Sequence, residues 1–163
     1  MQSRPTVVVL AAGKGSRFSG STHKLEQGLG DLSVLDNTLR NAIESHLPVV
    51  VVVTQALAAG ASRIVAARDV VIVPQALAAL GMGHSIAAGI AARADAPGWL
   101  LLPGDMPMVK PATLLAVAAA LEHHPVAYAQ YHGRRGHPVG FAAELYSELM
   151  MLSGDEGARR IVA

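Results

Sequence analysis

The sequence predicts an α/β fold, a mostly parallel β-sheet covered by helices on both faces. Three observations point to it. Short, continuous Val- and Leu-rich runs alternate along the chain with Ala-rich stretches of helical period, the pattern of strands buried on both sides and linked by crossover helices. Aromatic residues are few (one Trp, three Tyr and two Phe) while hydrophobic residues make up 52% of 163, so the core is built from small and branched side chains. A glycine-punctuated, basic stretch follows the first apolar run, where an α/β sheet carries its ligand loop. The length suits one domain with a sizeable core.

The elements follow in order. Thr6 to Ala11 reads as a buried strand, ended by Gly13 and Gly15. A cleavable leader is the alternative for this N-terminus, but the run leads straight into a phosphate-type loop, which favours a strand. From Ser16 to Gly30 the chain is polar and glycine-rich, a long functional loop. Ser33 then caps a helix whose apolar positions, Val34, Leu35, Leu39, Ala42, Ile43 and Leu47, recur at helical spacing, with Asp36 three residues after the cap. Pro48 stops it, and Val49 to Thr54 forms the second strand. The apolar stretch from Leu47 to Val53 is too short to span a bilayer as a helix, so a membrane is not an expected partner. Ala56 to Ala67 reads as a helix weakened at Gly60, and Val70 to Val73 as a third strand closed by Pro74.

Residues 75–83 form a glycine-interrupted connection, and a helix runs from about Gly83 to Arg93. Trp99 to Leu102 is a strand left abruptly at Pro103-Gly104-Asp105. Pro111 is placed as the first residue of a helix reaching about His123. Val126 to Tyr131 is a strand, Gly133 to Gly136 a basic turn, His137 to Phe141 a further short strand and Ala142 to Leu152 helical. Ser153 and Glu156 have the spacing of a capping box that opens a last helix. Ligands in such sheets bind beyond the C-terminal ends of the strands. The loop after the first strand and the turn at Asp105 both belong to that edge.

Charge and composition exclude several functions. Thirteen basic side chains stand against twelve acidic ones, a net charge of +1, which gives no global field for nucleic acid. The chain has no cysteine; disulfides, thiolate metal sites and a cysteine nucleophile are out, and a reducing, cytoplasmic setting is the expectation. No Ser-His-Asp or paired-carboxylate arrangement stands out. His123 and His124 sit at a helix end, where they suit the helix dipole, and no further ligands at a recognisable spacing make them a metal site.

The stretch VVVLAAGKGSRFSGSTHK, from Val7 to Lys24, fails both common nucleotide fingerprints. A Walker A loop counted from Gly15 reaches Gly20 but meets Ser21 where Lys is needed. A dinucleotide loop begun at Gly13 and Gly15 has Phe18 in place of its third glycine, and no ribose-binding acid follows Val53-Thr54-Gln55. What remains is a glycine turn with three cations. Lys14 and Arg17 can neutralise β- and γ-phosphates, and Lys24 can reach an α-phosphate. Asp105, alone after an apolar strand, can anchor Mg²⁺, which takes one or two protein carboxylates and leaves other positions to phosphates and water; the plainer reading is a turn or cap before Pro111. Gly81, Gly83 and Ser85 allow a base or sugar to approach backbone at a helix start, or form an ordinary glycine-hinged cap. Arg134, Arg135 and His137 form a polar cluster that suits an anionic acceptor, or a solvated hairpin turn.

In the order LAAGKGSRF, Lys24, GMGHSIAAG, LLPGDMP, GRRGHPVGF and SGDEGARR, these motifs resemble the MobA-like nucleotidyltransferases, and within them the branch containing molybdenum cofactor cytidylyltransferase. The resemblance covers essentially the whole chain. It implies a three-layer, Rossmann-like nucleotide-diphospho-sugar transferase fold, Mg²⁺, and transfer of a nucleoside monophosphate from an NTP to a phosphorylated acceptor with release of pyrophosphate. In that branch the NTP is CTP, the acceptor is the terminal phosphate of molybdopterin, and a molybdoenzyme is the downstream partner. By position, Ala11, Ala12 and Gly13 meet base and ribose through their backbone. Lys14, Gly15, Ser16 and Arg17 hold the triphosphate, and Lys24 steadies charge at the α-phosphate. Gly83 and Ser85 help read the base, Asp105 binds the metal, and His137 with Asp155 and Glu156 lies toward the acceptor. The family continues past the GDEGAR helix into a further strand and an acidic segment, so residues 1–163 are expected to form one transferase domain without that strand. Guanylyl transfer, another small phosphorylated acceptor, and a nucleotide-binding accessory protein without turnover remain as alternatives.

Overall fold

The computed structural model describes residues 4–12, 28–29, 32–131 and 133–152. At its centre is a six-stranded sheet formed by β1 (Thr6–Ala11), β4 (Val49–Val53), β5 (Val70–Ile72), β6 (Gly98–Pro103), β7 (Val126–Tyr131) and β8 (Arg134–Ala142). The strand order is β5-β4-β1-β6-β8-β7. β1 is flanked in parallel by β4 and β6, and β4 pairs in parallel with β5. β8 runs antiparallel to β6 on one side and to β7 on the other. A small antiparallel ribbon, β2 (Gly28–Leu29) with β3 (Leu32–Ser33), precedes the first helix; it occupies the end of what the sequence presents as loop.

Among the described residues six helices flank the sheet: α1 (Val34–Glu44), α2 (Gln55–Ala61), α3 (Gln75–Ala78), α4 (Met82–Ala91), α5 (Pro111–Ala120) and α6 (Tyr146–Met150). They form two layers with separate cores, because strand side chains alternate between faces. Val7, Val9 and Ala11 of β1 pack with Leu39 of α1, Leu57 of α2 and Leu114 of α5. Val8, Leu10 and Ala12 pack with Ile86 and Ile90 of α4, Leu149 of α6, Trp99 and Phe141. Every residue of β1 is buried, as expected of a central parallel strand covered on both sides. The architecture is the three-layer α/β arrangement that the alternating pattern predicts. Among the described residues no helix is long and apolar enough to cross a membrane.

Several boundaries differ from the sequence expectations: α1 stops at Glu44, α5 at Ala120, and the stretch expected as one helix from Ala142 is a 3₁₀ turn at Ala143–Leu145 followed by α6. The helix after β4 ends at Ala61 rather than Ala67. Arg63 N–H then bonds Gly60 C=O and Ile64 N–H bonds Ala61 C=O, a tightened exit that leads to a short 3₁₀ turn at Ala67–Asp69. Residues 75–78 form a helical turn behind Pro74 because Ala78 is buried there. Finally, Arg134 and Arg135 lie in β8, not in a turn: Tyr131 pairs with Arg134, and Gly133, at φ 80°, makes the reversal in a backbone region that favours glycine.

Candidate active site

The parallel strands β1 and β6 end side by side, and the chain leaving β6 is drawn back onto β1. Gly104 N–H donates to Leu10 C=O at 2.8 Å, one bond beyond the regular ladder. A Cβ at Gly104 would stand 3.1 Å from Leu35 Cδ1 and 3.2 Å from both Ala11 Cβ and Leu10 O, so a larger residue would press its neighbours apart at this tight turn. Helix α1 clamps it from one side. Thr38 Oγ1 donates to Gly104 C=O at 2.8 Å in a buried position, and Asn41 Nδ2 donates to Pro107 C=O at 2.7 Å. The outcome is that Asp105 emerges exposed on a turn with its neighbours fixed.

Sequence reasoning picks out Asp105 but not Thr38 or Asn41. A signal for Thr38 exists: it is a polar residue directly beside Leu39 on the otherwise apolar face of α1, and it is fully buried. Buried hydroxyls are almost always bonded to something, so its position alone asks for a partner.

His137 of β8 reaches the same corner. Leu101 pairs with Val139, so two residues further along each strand bring Pro103 and His137 to the same end of the ladder. Burial pushes the His137 imidazole below its ordinary 6.5, against a smaller upward pull from the Asp105 carboxylate. The two candidates that stand 32 positions apart in sequence are therefore within electrostatic reach of each other. Arg135, two residues before His137, lies over the Tyr128 ring at 5.4 Å.

On the other side of β1, α4 lies very close to the sheet. A Cβ at Gly89 would fall 2.6 Å from Val8 Cγ1 and 2.8 Å from Val52 Cγ2. Gly81, at φ 122°, precedes the helix, and Gly83 and Ser85 are buried in its first turns. Ser85 lies one turn before Gly89, toward the C-terminal ends of β1 and β4, because a helix that connects parallel strands runs back against them. Its Oγ is buried without a hydrogen-bond partner. Such an orphan calls for an explanation, and a ligand group is one.

Ala11 and Ala12 end β1 fully buried, so only their backbone is positioned to serve a ligand. Gly13, Lys14, Gly15, Ser16, Arg17 and Lys24 lie outside the described residues, as do Asp155 and Glu156. Among the described residues no group of three or more His, Cys, Asp or Glu side chains assembles that could hold a metal. The exposed Asp105 carboxylate, on the turn bonded to the end of β1, nevertheless fits Mg²⁺, a hard cation that draws most of its ligands from phosphate oxygens and water. His123 and His124 are exposed, away from this edge.

Comparison with known proteins gives these features a context. The model of the MobA-like NTP transferase domain matches residues 7–163. "Bifunctional protein GlmU" from Alkalilimnicola ehrlichii is 38% identical over 125 residues, 73% of this chain and 26% of that protein. Its counterpart from Cereibacter sphaeroides is 32% identical over 147 residues, 86% of this chain and 32% of that protein. The chain thus spans about a quarter to a third of the length of these curated relatives. Among solved structures, Rv0371c from Mycobacterium tuberculosis superposes with a TM-score of 0.84 at 29% identity, covering 98% of this chain and 83% of that one. A manganese complex of Rv0371c superposes at 0.81 with 26% identity, covering 99% and 83%. A nucleotidyl transferase from Methanothermobacter, at 24% identity and TM-score 0.69, shares the fold.

Proposed function

The chain belongs to the MobA-like NTP transferase domain family, and we propose that it transfers a nucleoside monophosphate from an NTP to a small phosphorylated acceptor, releasing pyrophosphate. The observation that supports this reading most is the Gly104 closure, which holds the turn carrying Asp105 against the end of β1, the strand that the basic, glycine-rich stretch follows in sequence. We assign CTP as the nucleotide and the terminal phosphate of molybdopterin as the acceptor, on the combination of GMGHSIAAG, LLPGDMP, GRRGHPVGF and SGDEGARR.

In this reaction Ala11, Ala12 and Gly13 would meet the base and ribose, Gly15 and Ser16 would help hold the triphosphate, and Lys14 and Arg17 would neutralise its β- and γ-phosphates. Lys24 stabilises charge that develops at the α-phosphate. Asp105 would hold Mg²⁺, which supplies charge neutralisation on the phosphate oxygens when bound; the manganese complex of Rv0371c supports a divalent ion. The acceptor phosphate is already an anion and needs no strong general base. Its oxygen forms a bond to the α-phosphorus in line with the bond to the β-phosphate, which breaks and releases pyrophosphate. The chain's task is alignment and charge stabilisation.

Pyrophosphate release from CTP, Mg²⁺ and molybdopterin tests the proposal, with GTP in a parallel reaction to separate cytidylyl from guanylyl transfer. Turnover with GTP alone would overturn the base assignment. A second reading is a different small phosphorylated acceptor, since the curated relatives matched carry the name GlmU; turnover with another small phosphomonoester in place of molybdopterin would establish it. Stabilisation by an NTP with no pyrophosphate from any acceptor would make the chain a nucleotide-binding accessory protein.

A further inference from the structure

The two arginines of β8 are given no role in the nucleotide-binding reading above. Because β8 runs antiparallel to β6, its first residues stand at the edge where the parallel strands end. Along that edge the order is β4, β1, β6, β8. β1 ends at Ala11, Asp105 follows β6, and Arg135 stands near the start of β8, on the far side of β6 from β1. A group held at Arg135 therefore lies on the β8 side of the Asp105 turn, away from the end of β1.

Local geometry singles out Arg135. Tyr128 pairs with Val139 and Gln130 with Arg135, so β7 advances two residues while β8 advances four. This irregularity is a bulge at residues 136–138, and bulges beside active sites re-aim the side chains near them. The pairing puts Arg135 on the same face as Val139, which packs in the core that contains Leu10 and Ala12. The exposed guanidinium rests over the Tyr128 ring at 5.4 Å, and among the described residues no carboxylate bridges it. Stacking on an aromatic face fixes an arginine while its N–H edge stays open to the bidentate contacts that phosphate takes.

We propose that Arg135, seated on Tyr128 at the bulge in β8, is the docking point for the phosphate of the acceptor. The role as acceptor site rests on the transferase reading above. The ligand class is a phosphomonoester, recognised by one guanidinium held over an aromatic ring. Tyr128 acts as the positioning residue that holds the guanidinium in place.

The test is a titration of the full chain with inorganic phosphate, followed by the amide NMR signals of residues 133–140, for wild type, Arg135→Met, Arg135→Lys and Tyr128→Leu. Wild type is expected to show saturable shifts there. Arg135→Met should weaken them about tenfold or more, the size of a lost charge-assisted contact, and Arg135→Lys should recover only part of the loss. Tyr128→Leu, which keeps the charge and removes the seat, should give a smaller weakening. Equal phosphate affinity in wild type and Arg135→Met, or shifts confined to other parts of the chain, would overturn the proposal. Melting with CTP and Mg²⁺ is measured alongside. A nucleotide shift with no effect of Arg135→Met on phosphate sinks this site and leaves the transferase reading standing. Phosphate bound at Arg135 in a chain that no NTP stabilises sinks the acceptor role together with the transferase reading.

Discussion

One hydroxyl proton joins α1 to the turn that presents Asp105. Thr38 Oγ1 lies 2.8 Å from Gly104 C=O and 3.1 Å from Val34 C=O, and its donation to Gly104 spans the two elements. Thr38→Val keeps the shape and removes the donor, leaving a buried carbonyl unpaired. We expect a stability loss of about 1–2 kcal/mol by chemical denaturation, with Thr38→Ser recovering most of it; a Val variant as stable as wild type would show that the bond contributes nothing. His137 gives a second prediction. Burial holds its imidazole below 6.5 in the folded chain, so the unfolded chain binds the proton more readily. Stability is then full above pH 6.5 and falls as the pH drops through 6.5 toward the lowered folded value. His137→Gln should flatten that limb of a pH–stability curve. Asp105→Asn removes the carboxylate that pulls the imidazole upward, so the His137 midpoint followed by NMR should move further down; an unchanged midpoint would mean that the two groups do not interact.

At the scale of elements, the close seat of α4 on β1 and β4 decides how near its N-terminal turn comes to the nucleotide edge. Gly89→Ala would favour the helix by roughly 1 kcal/mol of propensity. The new methyl would meet Val8 and Val52 at 2.6 and 2.8 Å, and both are held in the sheet. Overpacking of this kind typically costs about 1–3 kcal/mol, so we expect net destabilisation in urea; a more stable variant would show that α4 can move outward freely. The elements most legible in the sequence are those whose pattern is set locally. Val49–Val53 is apolar throughout because both faces are covered, and α1 carries its period in Leu35, Leu39 and Ala42. The alanine-rich stretch after β4 has no comparable stripe, so the exit at Ala61 is fixed by turn hydrogen bonds and not by pattern. The start of β8 was hidden for another reason: Arg134 and Arg135 are strand residues only because β7 lies beside them.

At the scale of the molecule, the candidate site is gathered from chain positions that no local pattern links. Asp105, Ser85 and His137 were legible as residue types placed after strands or at a helix start. Their supports, Thr38, Asn41 and Tyr128, were not, because each acts through a partner brought close by the fold: Thr38 and Asn41 bond residues 66 positions away, while Tyr128 meets Arg135 across the β7–β8 hairpin. A site assembled this way couples ligand binding to the whole fold, because the ends of β1, β6 and β8 keep their spacing only while the sheet is intact. An NTP with a divalent ion should therefore raise the global melting temperature. A ligand at a hundred times its dissociation constant adds about 2.7 kcal/mol, and for a chain of this size each kcal/mol moves the midpoint by about 2–4 °C, which gives a rise of about 5–10 °C. Arg17→Ala should abolish the rise, because it removes a cation from the phosphate cradle. Asp105→Asn should remove the part that depends on the metal and leave a smaller shift from the nucleotide alone. Calorimetry with CTP, with and without Mg²⁺, checks both variants. A full-sized shift in Asp105→Asn would place the metal elsewhere, and no shift with any NTP would end the transferase reading.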